Sequence, residues 1–249
     1  MSGEEIRVMP VARSPESNAI ILTIAIPKEG EIVSKNPVLS QFRVDGFALG
    51  ADSSQLERSN QLPNSDMGQT VHIVIDNHPY FAINEPAIDP FNENGYFYDS
   101  SYRFEIPFAL KNGMHIMRIF PARSFGESLK GANTFHMSTF YIGHADSKTF
   151  DYSKPFLTYN EPSDQIPWTV NQPVLLDFLL ANCELTPDGY TVQLTVDGIV
   201  HRALTSWQPY YVYGLAKGKH TFRLQLMNKG VQVAGPFNTV ERTIVVYPK

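Results

Sequence analysis

The sequence predicts an all-β chain folded as two tandem sandwiches, and three observations carry that expectation. The stretch L-K-N-G-M-H-I-M-R-I from Leu110 to Ile119 returns from Leu215 as L-A-K-G-K-H-T-F-R-L. Short alternating apolar runs bounded by Gly, Pro, Asn and Asp recur along the chain, the pattern of half-buried strands closed by turns. No segment carries an amphipathic helical period of useful length.

The repeat is longer than its best-matching piece. Pro37–Leu49 aligns with Pro173–Leu185, Thr70–Asp76 with Thr191–Asp197, and Ile106–Ile142 without a gap with Tyr211–Tyr247. Three blocks in the same order make one unit used twice. The offset between copies falls at two points, so the first copy carries two insertions, at about Gly50–Gln69 and about Ile83–Ser101.

Taken in order, residues 1–18 are polar and broken by proline, and read as a tail. Asn18–Ile26 is apolar and β-branched, a first strand. Val38, Ser40, Phe42 and Val44 alternate, as do Val71, Ile73 and Ile75. Asp76-Asn77 supplies a tight turn, matched by Asp197-Gly198 in the second copy, a favoured pair for a two-residue hairpin. Pro79–Ile83 returns as an edge strand, where a missing donor is tolerated. Tyr102, Phe104, Ile106 and Phe108 form the next strand, His115, Met117 and Ile119 the next, and Phe135, Met137, Thr139 and Tyr141 mark the last. The second copy repeats the plan over Phe156–Asn160, Val174–Leu180, Thr191–Val196, Ile199–Ala203, Tyr211–Leu215, His220–Leu226 and Val240–Val246. The expected division is a tail at 1–18, a sandwich with two long insertions at 19–145, a linker at 146–154 and a second sandwich at 155–249.

Composition removes several function classes. Only 18% of the 249 residues are charged, the net charge is −5, and no Lys/Arg run exists to neutralise a phosphate backbone, which argues against nucleic acid. No apolar run is long enough to span a bilayer. The single cysteine, Cys183, admits no intrachain disulfide and aligns with Phe47, implying a semi-buried, unreactive thiol. Eighteen prolines fit loop-rich β structure.

Seven short strands with frequent turns argue for an Ig-like or fibronectin-III-like sandwich. The G-x-H-x-(apolar)-R-(apolar) strand at Gly113–Ile119 and Gly218–Leu224, preceded by an alternating strand, resembles the Ig-like sandwich repeats found in tandem on bacterial envelope and secreted proteins. The resemblance covers about residues 19–247. It implies a framework and a cell-envelope or secreted location, and it transfers no functional residue.

Counting strand reversals places the loop after Val44, the second insertion and Ala122–Asn133 at one end of the first sandwich. The second sandwich is expected at the other end, so these loops should form a free tip. Loops on a rigid scaffold are where recognition concentrates. The tip residues singled out as ligand contacts are Phe91, Tyr96, Phe97, Tyr98, Asp99, Arg123, Phe125 and Glu127, because aromatics with polar tips bury much area for few lost torsions. The competing reading is that the long loop folds its aromatics back onto the sandwich.

Other chemistry is weaker. Asn92–Gly95 imitates part of an EF-hand loop, but Pro90 and Ser101 occupy its first and twelfth ligand positions; a looser calcium site would use Asp89, Glu93 and Asp99. Ala122–Gly126 is an A-x-S-x-G variant of a nucleophile elbow, but it leads into a strand where the motif needs a helix. His115 and His220 share one repeat position, which favours a structural role. His72 and His78 lack a third ligand for zinc. Trp168, Trp207, Tyr210, Tyr211 and Tyr213 are the candidates for a sugar-stacking platform. The expectation is a non-enzymatic binding or spacing module with no cofactor and no metal, whose partner is another protein or a surface glycan. The alternatives are a carbohydrate-binding accessory protein and a hydrolase-associated or calcium-binding sandwich.

Overall fold

A computed structural model describes residues 5–85, 101–145 and 147–249, and these fold as an all-β protein. The strands are β1 (Arg7–Pro10), β2 (Ile21–Ile26), β3 (Glu31–Val33), β4 (Leu39–Asp45), β5 (Thr70–Ile75), β6 (Phe81–Ile83), β7 (Ser101–Glu105), β8 (Gly113–Ala122) and β9 (His136–Ile142) in the first half. The second half contains β10 (Phe156–Glu161), β11 (Val174–Ala181), β12 (Tyr190–Val196), β13 (Ile199–Leu204), β14 (Tyr210–Tyr213), β15 (Gly218–Asn228), β16 (Val231–Gln232) and β17 (Thr239–Val246). The single helical turn among the described residues is a short 3-10 segment, Glu57–Asn60.

Four sheets make two sandwiches. Sheets β2-β4-β7 and β3-β9-β8-β5-β6 enclose one core, which holds Phe42, Val71, Ile73, Ile75, Met117, Ile119 and Phe140. Sheets β1-β14-β11-β10 and β13-β12-β15, the latter extended by β16 and β17, enclose the other around Trp168, Phe178, Leu194, Phe222 and Ile244. The inward residues of β4, β5 and β8 are those the period-2 alternation selected, whereas in β9 the phase is opposite: Phe140 and Ile142 enter the core, and Phe135 and Met137 pack outside it with Ile116 and Phe156. Asp197 and Gly198 both adopt positive φ, 51° and 81°, between the paired ends Val196 and Ile199, the two-residue hairpin expected from Asp-Gly.

Two expectations are overturned. The tail carries a strand: β1 pairs antiparallel with β14 from Arg7↔Tyr213 to Pro10↔Tyr210, so it belongs to the second sandwich's sheet. The sequence gives no local sign of this because the partner lies some two hundred residues away. The sandwiches also do not sit end to end with a free tip. They pack side by side, and both the first insertion and the Ala122–Asn133 loop reach the second sandwich, where Leu62 and Phe125 join its core.

The packing uses non-equivalent faces. In a lone sandwich the outward face of each sheet is solvated and polar. Here the outward residues of β5 and β8, namely His72, Val74, Ile116, Arg118 and Phe120, are at most 3% exposed. The outward residues of β10 and β11, among them Phe156, Thr158, Asn160, Leu175, Asp177 and Leu179, are equally shut off. Val74 and Phe120 meet Leu179, and Ile116 meets Phe156. Each such apolar side chain removed from water contributes roughly 1.5–3 kcal/mol, which holds the two units together.

Candidate functional site

Among the described residues, the densest polar cluster is the seam inside this junction. Asp177, on β11, accepts from Ser128 N at 3.1 Å, from Ser128 Oγ, from Asn160 Nδ2 at 2.8 Å and from Lys130 Nζ at 2.5 Å. Lys130 Nζ also donates to Ser128 O and Ser128 Oγ, both at 2.9 Å. All three ammonium protons and both carboxylate oxygens are thereby satisfied, which a buried ion pair requires. Asn160 Nδ2 also donates to Gly126 O at 2.7 Å, which fixes its amide orientation.

That orientation settles the tautomer of His72. Asn160 Oδ1 accepts from His72 Nδ1 at 2.7 Å, so the lone pair lies on Nε2. Burial depresses His72 from 6.5 to about 4, with Asn160 and Asp177 opposing, and the ring is neutral at ordinary pH. Tyr80 stacks on it with centroids 3.7 Å apart and donates its hydroxyl to Glu161 Oε1 at 2.5 Å. Burial pushes Glu161 up to about 8, against its hydrogen bonds from Tyr80 and Ser163. Gly126 passes so close to this carboxylate, at φ +87°, that a Cβ there would lie 3.0 Å from Glu161 Oε1. Glycine is therefore the residue this approach demands.

Arg118 crosses the seam. Its Nη1 donates to Thr158 Oγ1 at 2.9 Å and Leu157 O at 3.2 Å, its Nη2 donates to Asp76 O, and its guanidinium lies 3.8 Å from the centroid of Phe237. Burial lowers it to about 9. Arg223, the same repeat position in the second copy, is only half-buried.

The expected tip residues fall as follows. Phe91, Tyr96, Phe97, Tyr98 and Asp99 lie outside the described residues. Phe125 is fully buried in the second core, and Glu127 is 1% exposed, accepting from Ser14 N at 2.8 Å, from Ser14 Oγ at 2.5 Å and from Arg58. Neither can touch a ligand without unpacking the junction, so the expectation that they form a contact surface is corrected. Half-buried Arg123 donates to Gln69 Oε1 and to Pro15 O, tying the insertion, the loop and the amino-terminal arm together.

The other motifs resolve into framework. Ser124, in the elbow-like stretch, is 2% exposed and donates its hydroxyl to Asn64 Oδ1 at 2.8 Å. His115 and His220 form matched clamps. Nδ1 faces Asp76 Oδ2 at 2.8 Å and Asp197 Oδ2 at 2.7 Å, while Nε2 faces the carbonyls of Lys111 at 2.7 Å and Ala216 at 2.8 Å. Carbonyls and carboxylates only accept, so each ring sits between two acceptors; at His115 burial lowers the proton affinity, but the bonds to Asp76 and the Lys111 carbonyl outweigh it and raise the ring above its ordinary 6.5. Trp168, Tyr210 and Tyr211 are buried, while Trp207 and Tyr213 lie beneath Arg13 and Arg7 of the arm; the five rings form no open platform. Cys183 is half-buried and burial pushes its thiol up to about 11.

The cavity beside His72 and Tyr80 is about 40 Å³, far below the roughly 300–1,000 Å³ of small-molecule sites. A wide-mouthed hollow of about 350 Å³ lies between Ala12–Pro15 and Gln55–Arg58. Among the described residues no three His, Cys, Asp or Glu side chains are grouped to hold a metal, and no helix is long and apolar enough to cross a membrane.

The sequence reasoning missed the seam, yet a signal existed in the repeat itself. Where the first copy has His72, Val74, Ile116 and Phe120 facing outward, the second has Gln193, Thr195, Thr221 and Gln225. Where the second has Leu175, Asp177 and Leu179, the first has Leu39, Gln41 and Arg43. The outward side of a different sheet turns unusually apolar in each copy.

No protein-family model and no curated protein matches the chain. Among solved structures, the fibronectin(III)-like modules of CbhA from Clostridium thermocellum are 11% identical across 92% of this chain and 95% of that one, with a TM-score of 0.31. The central fibronectin-III array of RIM-binding protein is 8% identical across 90% and 69%, with a TM-score of 0.27. SGBP-B of the Bacteroides ovatus mixed-linkage glucan utilization locus, solved with a heptasaccharide, is 12% identical across 90% and 47%, with a TM-score of 0.21. The all-β sandwich architecture is established by the strand pairing described above.

Proposed function

We propose that the chain is a non-catalytic module that binds or spaces protein partners in a bacterial envelope or secreted complex. The observation that carries this reading is the buried junction. Two sandwiches, taken as domains 19–145 and 155–249 joined by 146–154, are held face to face by Lys130–Asp177, Arg118 and the Val74–Phe120–Leu179 contact. A fixed geometry between two exposed ends is what a spacer or presenting scaffold needs, because preorganised surfaces lose less freedom on binding. With Phe125 and Glu127 committed to the seam, the 89–100 stretch, outside the described residues, is left as the recognition candidate among the expected tip loops.

The test replaces residues 89–100, leaving Ser101 of β7 in place, with a short Gly-containing turn and compares thermal stability with partner capture, identified by mass spectrometry. Unchanged stability with lost capture is the expected result; unchanged capture removes this segment as the surface. Turnover of generic esters, glycans or peptides would overturn the non-catalytic reading, and a positive glycan array would move the partner from protein to sugar.

A further inference from the structure

We propose that β14 and the loop before it form a peptide-docking groove, filled in cis by the arm Ile6–Glu16 and exchangeable, so that the same arm of a second copy of this chain takes it in trans.

The contacts are those of strand addition. The β1–β14 ladder is extended by Val11 N donating to Pro209 O at 2.9 Å, and Arg13 donates to Trp207 O through Nε at 3.1 Å and Nη2 at 2.6 Å. Main-chain bonds give such a groove its affinity and alternate side-chain subsites give it selectivity. Here the subsites are explicit. Ile6, Val8 and Val11 pack against the second core, and Met9 between them points outward, 51% exposed. The guanidinium of Arg7 lies 5.7 Å from the Tyr213 ring centroid and that of Arg13 4.8 Å from Trp207, two cation–π seats six residues apart. Further along, Ser14 enters the Glu127 carboxylate and Glu16 accepts from Lys130 N at 2.9 Å. The groove therefore reads an extended segment with Arg at its first and seventh positions and apolar residues between.

The occupant follows from the same residues. The segment that matches these subsites is the arm itself, so a second copy brings an identical set of partners. No disulfide holds the arm, since Cys183 is the chain's only cysteine. Exchange of an identical element keeps every contact and changes only the tether, which makes it sensitive to protein concentration.

Two full-length chains in a Cys183→Ser background test this, one carrying Val8→Cys and the other Val212→Cys, positions directly opposed in the β1–β14 register. They are mixed at high concentration, warmed below the unfolding transition and oxidised. The expected result is a disulfide-linked heterodimer that rises with concentration and exceeds by at least tenfold a control pair in which Val231→Cys, exposed on the other sheet, replaces Val212→Cys. No excess over the control overturns arm exchange. In parallel, a labelled peptide Glu5–Ser17 is titrated into the full chain carrying Arg7→Ala, Val8→Asp and Arg13→Ala, with near-UV circular dichroism confirming the native fold. Saturable binding at least tenfold tighter than to the wild-type chain is expected. A folded variant that binds no peptide overturns the groove. Peptide binding without chain-to-chain crosslinking overturns the second copy as occupant in favour of an extended segment of another protein. None of these outcomes bears on the non-catalytic role proposed above.

Discussion

Lys130 Nζ lies 2.5 Å from Asp177 Oδ1, and the two side chains, one from each sandwich, are both fully closed to solvent. Removing one partner of such a pair strands the other charge in the interior, at a cost of about 3–5 kcal/mol. Lys130→Met is expected to lose about that much in urea unfolding at pH 7. Lys130→Met with Asp177→Leu should lose less than the sum of the two single changes, because the stranded charge is gone. A single-variant loss below about 1 kcal/mol would show that the pair is solvated in solution.

Phe125 separates the two readings of its loop. As a ligand contact its truncation would spare stability; as core of the second sandwich, fully buried, Phe125→Ala should cost about 3–5 kcal/mol. Denaturant midpoints with an unchanged m-value measure this directly.

Acid should weaken the seam through His72. Its folded value of about 4 lies below its ordinary 6.5, so its contribution is fully present above 6.5 and is lost as pH falls from there towards 4. The shift corresponds to about 3 kcal/mol. The urea midpoint of the wild-type chain should fall across this window, and that of His72→Gln should fall less steeply.

Alkali should act through His115. Burial lowers its affinity for a proton, but the hydrogen bonds to Asp76 and the Lys111 carbonyl, with the Asp76 charge, outweigh that and leave it raised above 6.5. Its contribution is complete below 6.5 and disappears as pH rises through the folded value. Glu161, held at about 8, moves stability in the same direction as pH climbs from 4.5. Thermal melting from pH 6 to 9 should therefore decline for the wild-type chain, less for His115→Gln, and least when Glu161→Gln is added.

What could be read from the sequence was local or periodic. Val71, Ile73 and Ile75 announced an inward face, and Asp197-Gly198 announced its hairpin, because strand period and turn chemistry are written in neighbouring residues. Arg7–Pro10 was invisible for the opposite reason: a proline-ended tetrapeptide becomes a strand only because β14 offers it an edge. The placement of Phe125 and Glu127 failed at a different level. Reversal counting orders loops along one sandwich, but it says nothing about which side of that sandwich a neighbour will cover, and only the contrast of Phe120 with Gln225 and of Leu179 with Arg43 carried that information.

The unlike faces used at the seam set a limit on growth. Joining by dissimilar surfaces is the geometry from which open-ended filaments are built, since each added unit presents afresh the surface the next one needs. This pair does not. On the surfaces left over, Gln41 and Arg43 stand where the second copy has Asp177 and Leu179, beside half-exposed Ile21 and Leu39, and Gln193, Thr221 and Gln225 stand where the first copy has His72, Ile116 and Phe120, so neither face repeats the seam. The same seam is not offered again on either outer face, and any longer assembly of such units must be built through other contacts.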